Sequence, residues 1–275
     1  MYKSPTTEAS RKPITVARLK EMKAAGEKIA TLTAYDASFA ALLEASGIEL
    51  ILVGDSLGMV VQGHGTTVPV DVEDVIYHTR CVANGCHSAL LVADMPFMSY
   101  ATPHQALENA ARLMQEGGAQ MVKLEGGAVQ VETIRYLTER GVPVCAHLGL
   151  LPQSVHKLGG YRVQGREEHT ARELREDAVA VAEAGADLLV IECVPSRLGE
   201  EIAGLIDIPV IGIGAGPDVD GQILVVYDML GITPGKRPKF SKNFLTGQPD
   251  LHAAIDAYVA DVKSKRFPAA EHGYE

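Results

Sequence analysis

The chain has 275 residues, with 25 basic and 35 acidic side chains and a formal net charge of −10. Hydrophobic residues make up 47% of the chain and charged residues 22%, which is ordinary globular usage and excludes a disordered chain. The acidic balance argues against nucleic-acid binding, which needs a basic face, and no apolar run reaches the ~18 residues that would span a membrane.

The segment before the first predicted strand has no pattern of an export signal, and it contains one predicted helix. Residues 1–13 include basic side chains but no apolar stretch after them, unlike a secretory signal, and we expect them to be flexible. Residues 14–26 have an amphipathic pattern that predicts a helix closing the bottom of a barrel. The four cysteines contain no Cys-x-x-Cys pair, which indicates reduced thiols in a cytoplasmic protein.

Short apolar runs recur along the chain, and each ends at a glycine or a polar residue. Continuous apolar runs of this kind are typical of strands buried on both faces, as in parallel sheets. The predicted strands are residues 28–36, 48–56, 88–96, 119–127, 142–150, 186–194, 208–216 and 222–228.

Helical patterns lie between these runs. Apolar side chains recur at helical spacing in residues 106–118 and 169–186. Thr102, which precedes a proline, predicts the N-cap of the helix that includes residues 106–118. Regular alternation of strands and helices predicts a parallel (β/α)8 barrel. An open doubly wound sheet is the alternative, but no Gly-x-Gly-x-x-Gly motif follows the first strand. We therefore expect one barrel domain over residues 1–275, with a flexible tail at 267–275.

One segment stands outside the repeat. Residues 151–168 form a predicted loop that is long for a compact domain, and such loops are usually functional or mobile. The side chains of His156, Lys157, Arg162 and Arg166 make it locally basic. We expect the loop to act as a lid over an anionic substrate, with a solvated surface loop as the alternative.

Polar side chains at the strand ends carry the expected chemistry, because the active site of such a barrel lies at the C-terminal ends of its strands. Four carboxylates converge there with one lysine and one histidine. Convergent carboxylates repel one another unless a cation neutralises them, and hard oxygen ligands select Mg²⁺ over zinc. The candidate residues are Asp55, Ser56, Asp94, Lys123, Glu125, His147 and Glu192.

Each candidate also has a structural interpretation. Asp55, Ser56 or Asp94, taken alone, would suit the N-cap of a helix, and His147 would suit a buried structural position. Glu192 lies in the apolar sequence LLVIECV, which predicts that its carboxylate is buried. Burial of an unpaired carboxylate costs roughly several kcal/mol, and this cost favours a functional role for Glu192.

The strand-end motifs follow one another in a fixed order. They read TAYD (33–36), VGDSLGMVVQGH (53–64), ADMPFMSY (93–100), VKLEGG (122–127), AHLGLLPQS (146–154), IECVP (191–195) and IGIGAG (211–216). From about residue 14 to residue 265, this order and spacing resemble the ketopantoate hydroxymethyltransferase family. DSLGMV together with KLEGG is the most specific part of the resemblance.

The resemblance implies a fold, an activity and an assembly. The fold would be a TIM barrel of the phosphoenolpyruvate/pyruvate type. The activity would be Mg²⁺-dependent transfer of a hydroxymethyl group from 5,10-methylenetetrahydrofolate to 3-methyl-2-oxobutanoate, giving 2-dehydropantoate in pantothenate and coenzyme A biosynthesis. The family is typically cytoplasmic and decameric, which implies a homo-oligomer here.

The resemblance also implies ligand roles for the strand-end residues. Asp55, Asp94 and Glu125 match the metal-binding carboxylates of the family. The oxo-acid contacts match Asp55, Ser56, Asp94 and Lys123. One departure, Leu151, falls in the loop where the family is often polar, and we expect it to leave the metal site unaffected.

Catalytic roles follow from the same match. Glu192 matches the proton acceptor that would remove the C3 proton of the oxo acid. Lys123 would add positive charge where the enolate oxygen becomes negative. His147 would orient the oxo acid or the new hydroxyl group.

Two other functions stay open at this point. A Mg²⁺-dependent lyase acting on a 2-oxo or 2-hydroxy acid would share the barrel, but the isocitrate type would carry a catalytic cysteine in a Lys-Cys-Gly-His-like loop, which is absent. A non-catalytic barrel would instead bind a nucleotide or a phosphorylated metabolite through residues 211–216. Those glycines fit a phosphate cradle, a tight turn or another close ligand.

Overall fold

The computed structural model describes residues 11–233 and 235–275, which form a closed barrel of eight parallel strands. Strands pair in chain order, and the eighth returns to pair with the first. All eight predicted strands are present, and their nearly complete burial matches their apolar runs. The last one is shorter than predicted, because residues 226–228 begin a short helix. The strands are β1 (Ile29–Thr33), β2 (Leu50–Val53), β3 (Leu90–Asp94), β4 (Met121–Glu125), β5 (Val144–Gly149), β6 (Leu188–Glu192), β7 (Val210–Ile213) and β8 (Gly221–Leu224).

Helices cover the outside of the barrel. Their order is α1 (Val16–Ala24), α2 (Ala37–Ala45), α3 (Leu57–Val60), α4 (Val72–Ala83), α5 (Pro103–Gln115), α6 (Val131–Thr138), α7 (Val155–Leu158), α8 (Glu168–Glu183), α9 (Ser196–Leu205), α10 (Val226–Met229) and α11 (Leu251–Lys263). The Thr102 hydroxyl caps α5 by accepting a hydrogen bond from the Gln105 amide, as predicted. Within the described ranges, none of these helices is both long and apolar enough to cross a membrane.

The alternation of strands and helices fails at one place. Among the described residues, β7 passes to β8 through residues 214–220 without a helix. Gly214 and Gly216 have φ of 65° and 83° in this connection, a left-handed conformation that glycine adopts without steric cost. The glycine-rich run therefore serves a tight connection between two adjacent parallel strands.

Barrel closure depends on a small hydrogen-bonded cluster between β1 and β8. The Thr31 hydroxyl donates to the Gln222 carbonyl at 2.8 Å. From α11, the buried Tyr258 hydroxyl lies 2.8 Å from the Thr31 carbonyl oxygen and 2.9 Å from that of Gln222. At the same seam, a Cβ on Gly221 would collide with the Ile29 carbonyl, so only glycine allows this approach.

Tyr258→Phe is expected to lower the free energy of unfolding by about 1 kcal/mol, because it removes one buried hydrogen bond and leaves a carbonyl less well satisfied. Urea unfolding at equilibrium would measure the change. Tyr77→Phe is the matched control, since Tyr77 is 56% exposed. Equal midpoints for the two variants would contradict this role of the hydroxyl.

The helix predicted over residues 14–26 is present as α1, and it closes the bottom of the barrel. Leu19 and Met22 are its buried residues. The Lys23 ammonium lies 2.8 Å from an Asp220 carboxylate oxygen, and that of Lys20 lies 2.9 Å from Asp187. Both acids directly precede strands, β8 and β6 respectively, which places α1 at the end opposite the strand C-termini.

The two terminal segments differ from expectation where the structure describes them. Residues 1–10 lie outside the described residues, and the Arg11 guanidinium reaches the Glu49 carboxylate at 3.0 Å. The expectation of a flexible tail at 267–275 is not met. Phe267 and His272 are buried, and the Ser196 amide donates to the Tyr274 carbonyl at 2.9 Å, because apolar side chains in the tail find room against the barrel.

Candidate active site

All seven candidate residues line one cavity of about 800 Å³ at the C-terminal ends of the strands. Asp94, Lys123, Glu125, His147 and Glu192 project from strands β3 to β6, and Asp55 and Ser56 follow β2. A closed parallel barrel points the ends of all its strands toward one mouth, so separation along the chain becomes proximity in space.

Asp94 and Lys123 form a buried ion pair at the centre of the site. The strands pair these residues directly, and the Lys123 ammonium lies 2.5 Å from Asp94 Oδ1. Asp94 Oδ2 accepts a hydrogen bond from the Asp55 amide at 3.0 Å, so Asp94 does not cap a helix. Burial lowers the pKa of Lys123, but the nearby Asp94, Glu125 and Asp55 outweigh burial and raise it. The lysine therefore stays charged.

Asp55 and Glu125 are buried carboxylates close to this pair. Burial, followed by the charges of Asp94 and Glu125, raises the pKa of Asp55 well above its ordinary value. Burial also raises the pKa of Glu125 to about 7. Asp55 does not cap α3, whose N-cap residue is Ser56 and whose N-terminus lacks a side-chain cap. With one lysine among three carboxylates, ionisation of Asp55 and Glu125 is unfavourable unless a cation binds beside them, so the cluster favours a bound cation.

The donor set fits Mg²⁺, with one restriction. All its atoms are carboxylate oxygens, and Glu125 Oε1 is buried without a hydrogen-bond partner among the described residues. Yet nowhere in residues 11–233 and 235–275 are three His, Cys, Asp or Glu side chains arranged to hold a metal by themselves. Because Mg²⁺ usually takes one or two carboxylates and completes its shell with water and substrate, two direct ligands satisfy both observations.

Gln153 is a functional residue that the sequence analysis missed. It is buried, and its amide nitrogen donates to Asp55 Oδ2 at 2.8 Å and to the Met95 carbonyl at 3.0 Å. Its backbone amide donates to Glu125 Oε2 at 3.1 Å, and its amide oxygen accepts from the Tyr100 hydroxyl at 2.5 Å. Gln153 therefore contacts two of the carboxylates, Asp55 through its side chain and Glu125 through its backbone.

The segment that carries Gln153 corrects two expectations. The predicted loop at 151–168 begins with a 3-10 helix at Pro152–Ser154 and continues into α7, so only residues 159–167 are irregular. The Leu151 departure was expected to affect the loop and not the carboxylate cluster, but the turn of helix that follows it places Gln153 against Asp55, so loop and cluster are in contact. Farther along, the Tyr161 hydroxyl lies 3.4 Å from Met59 Sδ at the cavity mouth. Lid motion of this segment stays a prediction.

His147 lies between two carboxylates. Its Nε2 is 3.2 Å from Glu192 Oε2, and its Nδ1 is 3.5 Å from Glu125 Oε1. Burial, with Lys123 next, lowers the pKa of His147, so the imidazole is neutral and has one N–H to donate. Neither ring nitrogen makes a hydrogen bond of regular geometry with the described residues, but the shorter contact places Glu192 as the nearer partner. Burial raises the pKa of the Glu192 carboxyl group.

Ser56 is held at the cavity wall by the Tyr35 hydroxyl, 2.7 Å from its Oγ. A Cβ on Gly54 would lie 3.0 Å from Ser56 Oγ and 3.3 Å from Asp94 Oδ2, so glycine keeps room for both polar groups. The neighbouring strand-end acid, Asp36, has a structural role: it caps α2 by accepting from the Ser38 and Phe39 amides.

Packed side chains occupy the space beside the glycines of residues 211–216. A Cβ on Gly212 would lie 2.8 Å from a Val219 methyl group, and one on Gly214 would lie 3.1 Å from Phe240. A Cβ on Gly216 would lie 2.6 Å from that of Ser196. Side chains occupy the space beside each glycine, so the phosphate-cradle interpretation finds no support here.

The cysteine that lines the cavity is a thiol. Cys193 follows Glu192, and burial, with the Glu192 charge next, raises its pKa. A raised pKa disfavours the thiolate that a nucleophilic cysteine needs, so this residue does not supply the catalytic group of an isocitrate-type lyase.

Comparison with known proteins assigns the family. The family model described as ketopantoate hydroxymethyltransferase matches residues 13–270. The chain is similar to the 3-methyl-2-oxobutanoate hydroxymethyltransferase of Nitrosococcus oceani, with 62% identity over 261 residues, 95% of this chain and 99% of that relative.

Solved structures with low sequence identity share the barrel fold. Oxaloacetate acetylhydrolase matches with a TM-score of 0.57 and 13% identity, over 94% of this chain and 100% of that chain. Phosphonopyruvate hydrolase, solved with oxalate and Mg++, matches with a TM-score of 0.54 and 16% identity, over 91% of this chain and 96% of that chain. The sequence match is far stronger and extends over nearly the whole chain. The chain belongs to the ketopantoate hydroxymethyltransferase family.

Proposed function

We propose that the hydroxymethyl transfer of this family takes place in the cavity described above and serves pantothenate biosynthesis. The donor is 5,10-methylenetetrahydrofolate, the acceptor is 3-methyl-2-oxobutanoate and the product is 2-dehydropantoate. The observation that carries the proposal is that the acidic side chains form two sets. Three carboxylates surround Lys123, and a fourth, that of Glu192, lies beside His147. One group suits a cation and an anionic substrate, and the other suits proton removal.

Asp55 and Asp94 would hold Mg²⁺ directly, and Glu125 would act through water. This assignment follows from the oxygen-only donor set, the partnerless Glu125 Oε1 and the lack of a ready three-residue metal site in the described ranges. When bound, Mg²⁺ supplies positive charge for a keto oxygen that becomes negative. Phosphonopyruvate hydrolase, which has the same fold, was solved with oxalate and Mg++, and this agrees with a barrel of this kind binding the ion together with a small acid.

The oxo acid would bind with its polar and apolar parts on different walls. Ser56 and Lys123 offer donors for its carboxylate and keto oxygens. Leu52, Val190 and Ile223 line the same cavity and offer an apolar wall for the isopropyl group. This orientation directs C3 of the substrate away from the acidic cluster.

Glu192 would then remove the C3 proton. The carbon left behind would form a bond to the one-carbon unit of the folate, and both bonds from that unit to nitrogen would break. Water would supply the hydroxyl group, and the C3 proton and one proton of the water would go to the two nitrogens of the departing tetrahydrofolate. A carboxyl group with a raised pKa is a better base near neutral pH than an ordinary glutamate. His147 would orient Glu192 through the 3.2 Å contact.

The direct test of the proposal is an assay of tetrahydrofolate formation with the purified protein. Formation should require both 3-methyl-2-oxobutanoate and Mg²⁺. Retro-aldol cleavage of a malate-type 2-hydroxy acid such as 2,3-dimethylmalate, and no activity in this assay, would instead favour the lyase alternative.

Gln153→Leu is expected to raise the Mg²⁺ concentration needed for half-maximal activity by about 10–100-fold, the usual effect of removing a group that orients metal ligands. The leucine keeps the volume but cannot donate to Asp55 Oδ2. Titration of activity with Mg²⁺ would measure the change. Gln164→Leu is the control in the same segment, because the Gln164 side chain donates to the nearby Arg162 carbonyl and not to a carboxylate of the site. Equal Mg²⁺ dependence of both variants would contradict the role of Gln153.

We also propose that the chain forms a cytoplasmic homo-oligomer, and specifically a decamer. The support for this assembly is the family relationship together with the sequence resemblance. Light scattering at micromolar concentration is expected to give a mass ten times that of one chain. A mass equal to a single chain would refute the assembly without affecting the chemistry of the cavity.

A further inference from the structure

The outer wall of the cavity is basic, in contrast to its acidic inner end. Residues 229–249 contain four basic and no acidic side chains, and residues 151–166 likewise carry lysine and arginine without any acid. Four basic residues of these two segments line the cavity, and we call them the basic rim: Arg162, Lys236, Arg237 and Lys239. The chain has a net charge of −10, so the electrostatic potential at this positive rim has the opposite sign to that expected for the molecule as a whole.

Most of the basic rim has no intramolecular partner of opposite charge. Within residues 11–233 and 235–275, no carboxylate lies at ion-pair distance from Arg162, Lys236 or Arg237. Asp228, the acid of the same wall, is buried beneath the rim. Lys239 donates to the Gly273 carbonyl at 2.5 Å and so has a structural partner. Exposed, unpaired cations at a cavity mouth attract anions.

Aromatic rings stand beside the basic rim. Phe240, Tyr161 and Tyr274 line the same cavity. Phe240 and Tyr274 both lie 3.1 Å from the position a Cβ on Gly214 would take, so they flank the end of β7. The Lys239 ammonium is 5.0 Å from the centre of the Tyr274 ring. Aromatic faces next to cations fit a ligand that is flat and aromatic at one part and anionic at another.

We infer that the basic rim binds the glutamate carboxylates of the folate substrate, and that it favours a tail of several γ-linked glutamates. This inference rests on the proposed function, since it concerns the second substrate of that reaction. The small oxo acid does not need the basic rim, because Lys123 at the inner end of the cavity already offers a positive charge to its carboxylate. A cavity of about 800 Å³ has room for a ligand far larger than the oxo acid.

Binding of tetrahydrofolate with one and with five γ-linked glutamates, measured by calorimetry, tests the inference. Wild-type protein should bind the five-glutamate form about tenfold more tightly at low salt, as a few exposed ion pairs allow. In the double variant Lys236→Gln/Arg237→Gln, the two affinities should come within about twofold, with KM for the folate raised and kcat little changed. Added salt should reduce the wild-type difference.

The control is Arg172→Gln/Lys265→Gln, which removes the same charge from exposed positions outside the cavity, and it should keep the tenfold difference. An equal loss in this control, or no preference in wild-type protein, would overturn the inference. So would equally tight binding of free γ-pentaglutamate, which would indicate a general anion site. Solvent exchange of the oxo-acid proton without folate should be unchanged in both variants. Wild-type protein that formed no tetrahydrofolate from 3-methyl-2-oxobutanoate and Mg²⁺ would count against the proposed function alone.

Discussion

We expect Glu192→Gln to slow exchange of the C3 proton of 3-methyl-2-oxobutanoate by roughly 10²–10⁴-fold, the usual contribution of a general base. If Glu192 removes this proton, wild-type protein with Mg²⁺ should incorporate deuterium at C3 in D₂O without any folate. Glutamine keeps the size of the side chain and its contact with His147 but cannot accept the proton. Nuclear magnetic resonance of the oxo acid would follow the exchange.

Two further measurements define this result. Glu192→Gln should bind the oxo acid nearly as tightly as the wild-type protein, and Glu200→Gln, an exposed change on α9, should exchange normally. Exchange at the wild-type rate in Glu192→Gln would assign the base to another group, with His147 next in line. Exchange that needs folate would mean that proton removal follows binding of both substrates.

The pH dependence of exchange has a defined direction. Burial raises the pKa of Glu192 above its ordinary value, so the carboxyl group becomes protonated at a higher pH than an exposed glutamate. Its power as a base is therefore present above the raised pKa and is lost as the pH falls through it. We expect the exchange rate to fall on acidification at a pH where ordinary glutamates are still ionised. A rate that holds down to about pH 4.5 would contradict the raised pKa.

Removal of the metal is expected to have the second large effect. Treatment with EDTA should abolish tetrahydrofolate formation, and Mg²⁺ should restore it. Asp94→Asn should lower activity by at least about 10²-fold even at saturating Mg²⁺, because it would remove a proposed direct ligand and leaves the buried Lys123 without its charged partner. Calorimetry would show weaker binding of both Mg²⁺ and the oxo acid.

This pattern differs from that of the base variant. Glu192→Gln keeps binding and loses exchange, whereas Asp94→Asn loses both. Folding of Asp94→Asn is checked by circular dichroism, and Asp36→Asn is a matched control, since Asp36 caps α2 outside the acidic cluster. Full activity of the metal-free enzyme would show that the carboxylates around Lys123 have another purpose.

The strand-end residues were predictable because they depend on one rule of geometry. Parallel strands align their C-terminal ends, so the pairing of Asp94 with Lys123 follows once β3 and β4 are neighbours. The apolar runs that predict the strands are local, and the polar residue that ends each run is visible in the sequence. No long-range information beyond the barrel itself was needed to bring these side chains together.

Other features were hidden because they depend on how one segment packs against a distant one. The role of Gln153 requires a turn of 3-10 helix after β5 that reaches Asp55, 98 residues away. Its only signal in the sequence is its place in the AHLGLLPQS motif. The ordered tail depends on the Ser196 amide and on apolar contacts of Phe267, which no local pattern reveals. The missing helix between β7 and β8 depends on two left-handed glycines.

The seam between β1 and β8 also sets the timing of folding during synthesis. The Thr31 hydroxyl and its partner carbonyl on Gln222 are 191 residues apart in the chain. At about 5–20 residues per second, the ribosome needs on the order of 10–40 s between these two strands. Throughout that interval β1 has an unpaired edge that could pair with another chain, a known route to aggregation. The nascent protein therefore has a long vulnerable period that ends only when β8 and the Tyr258 helix emerge.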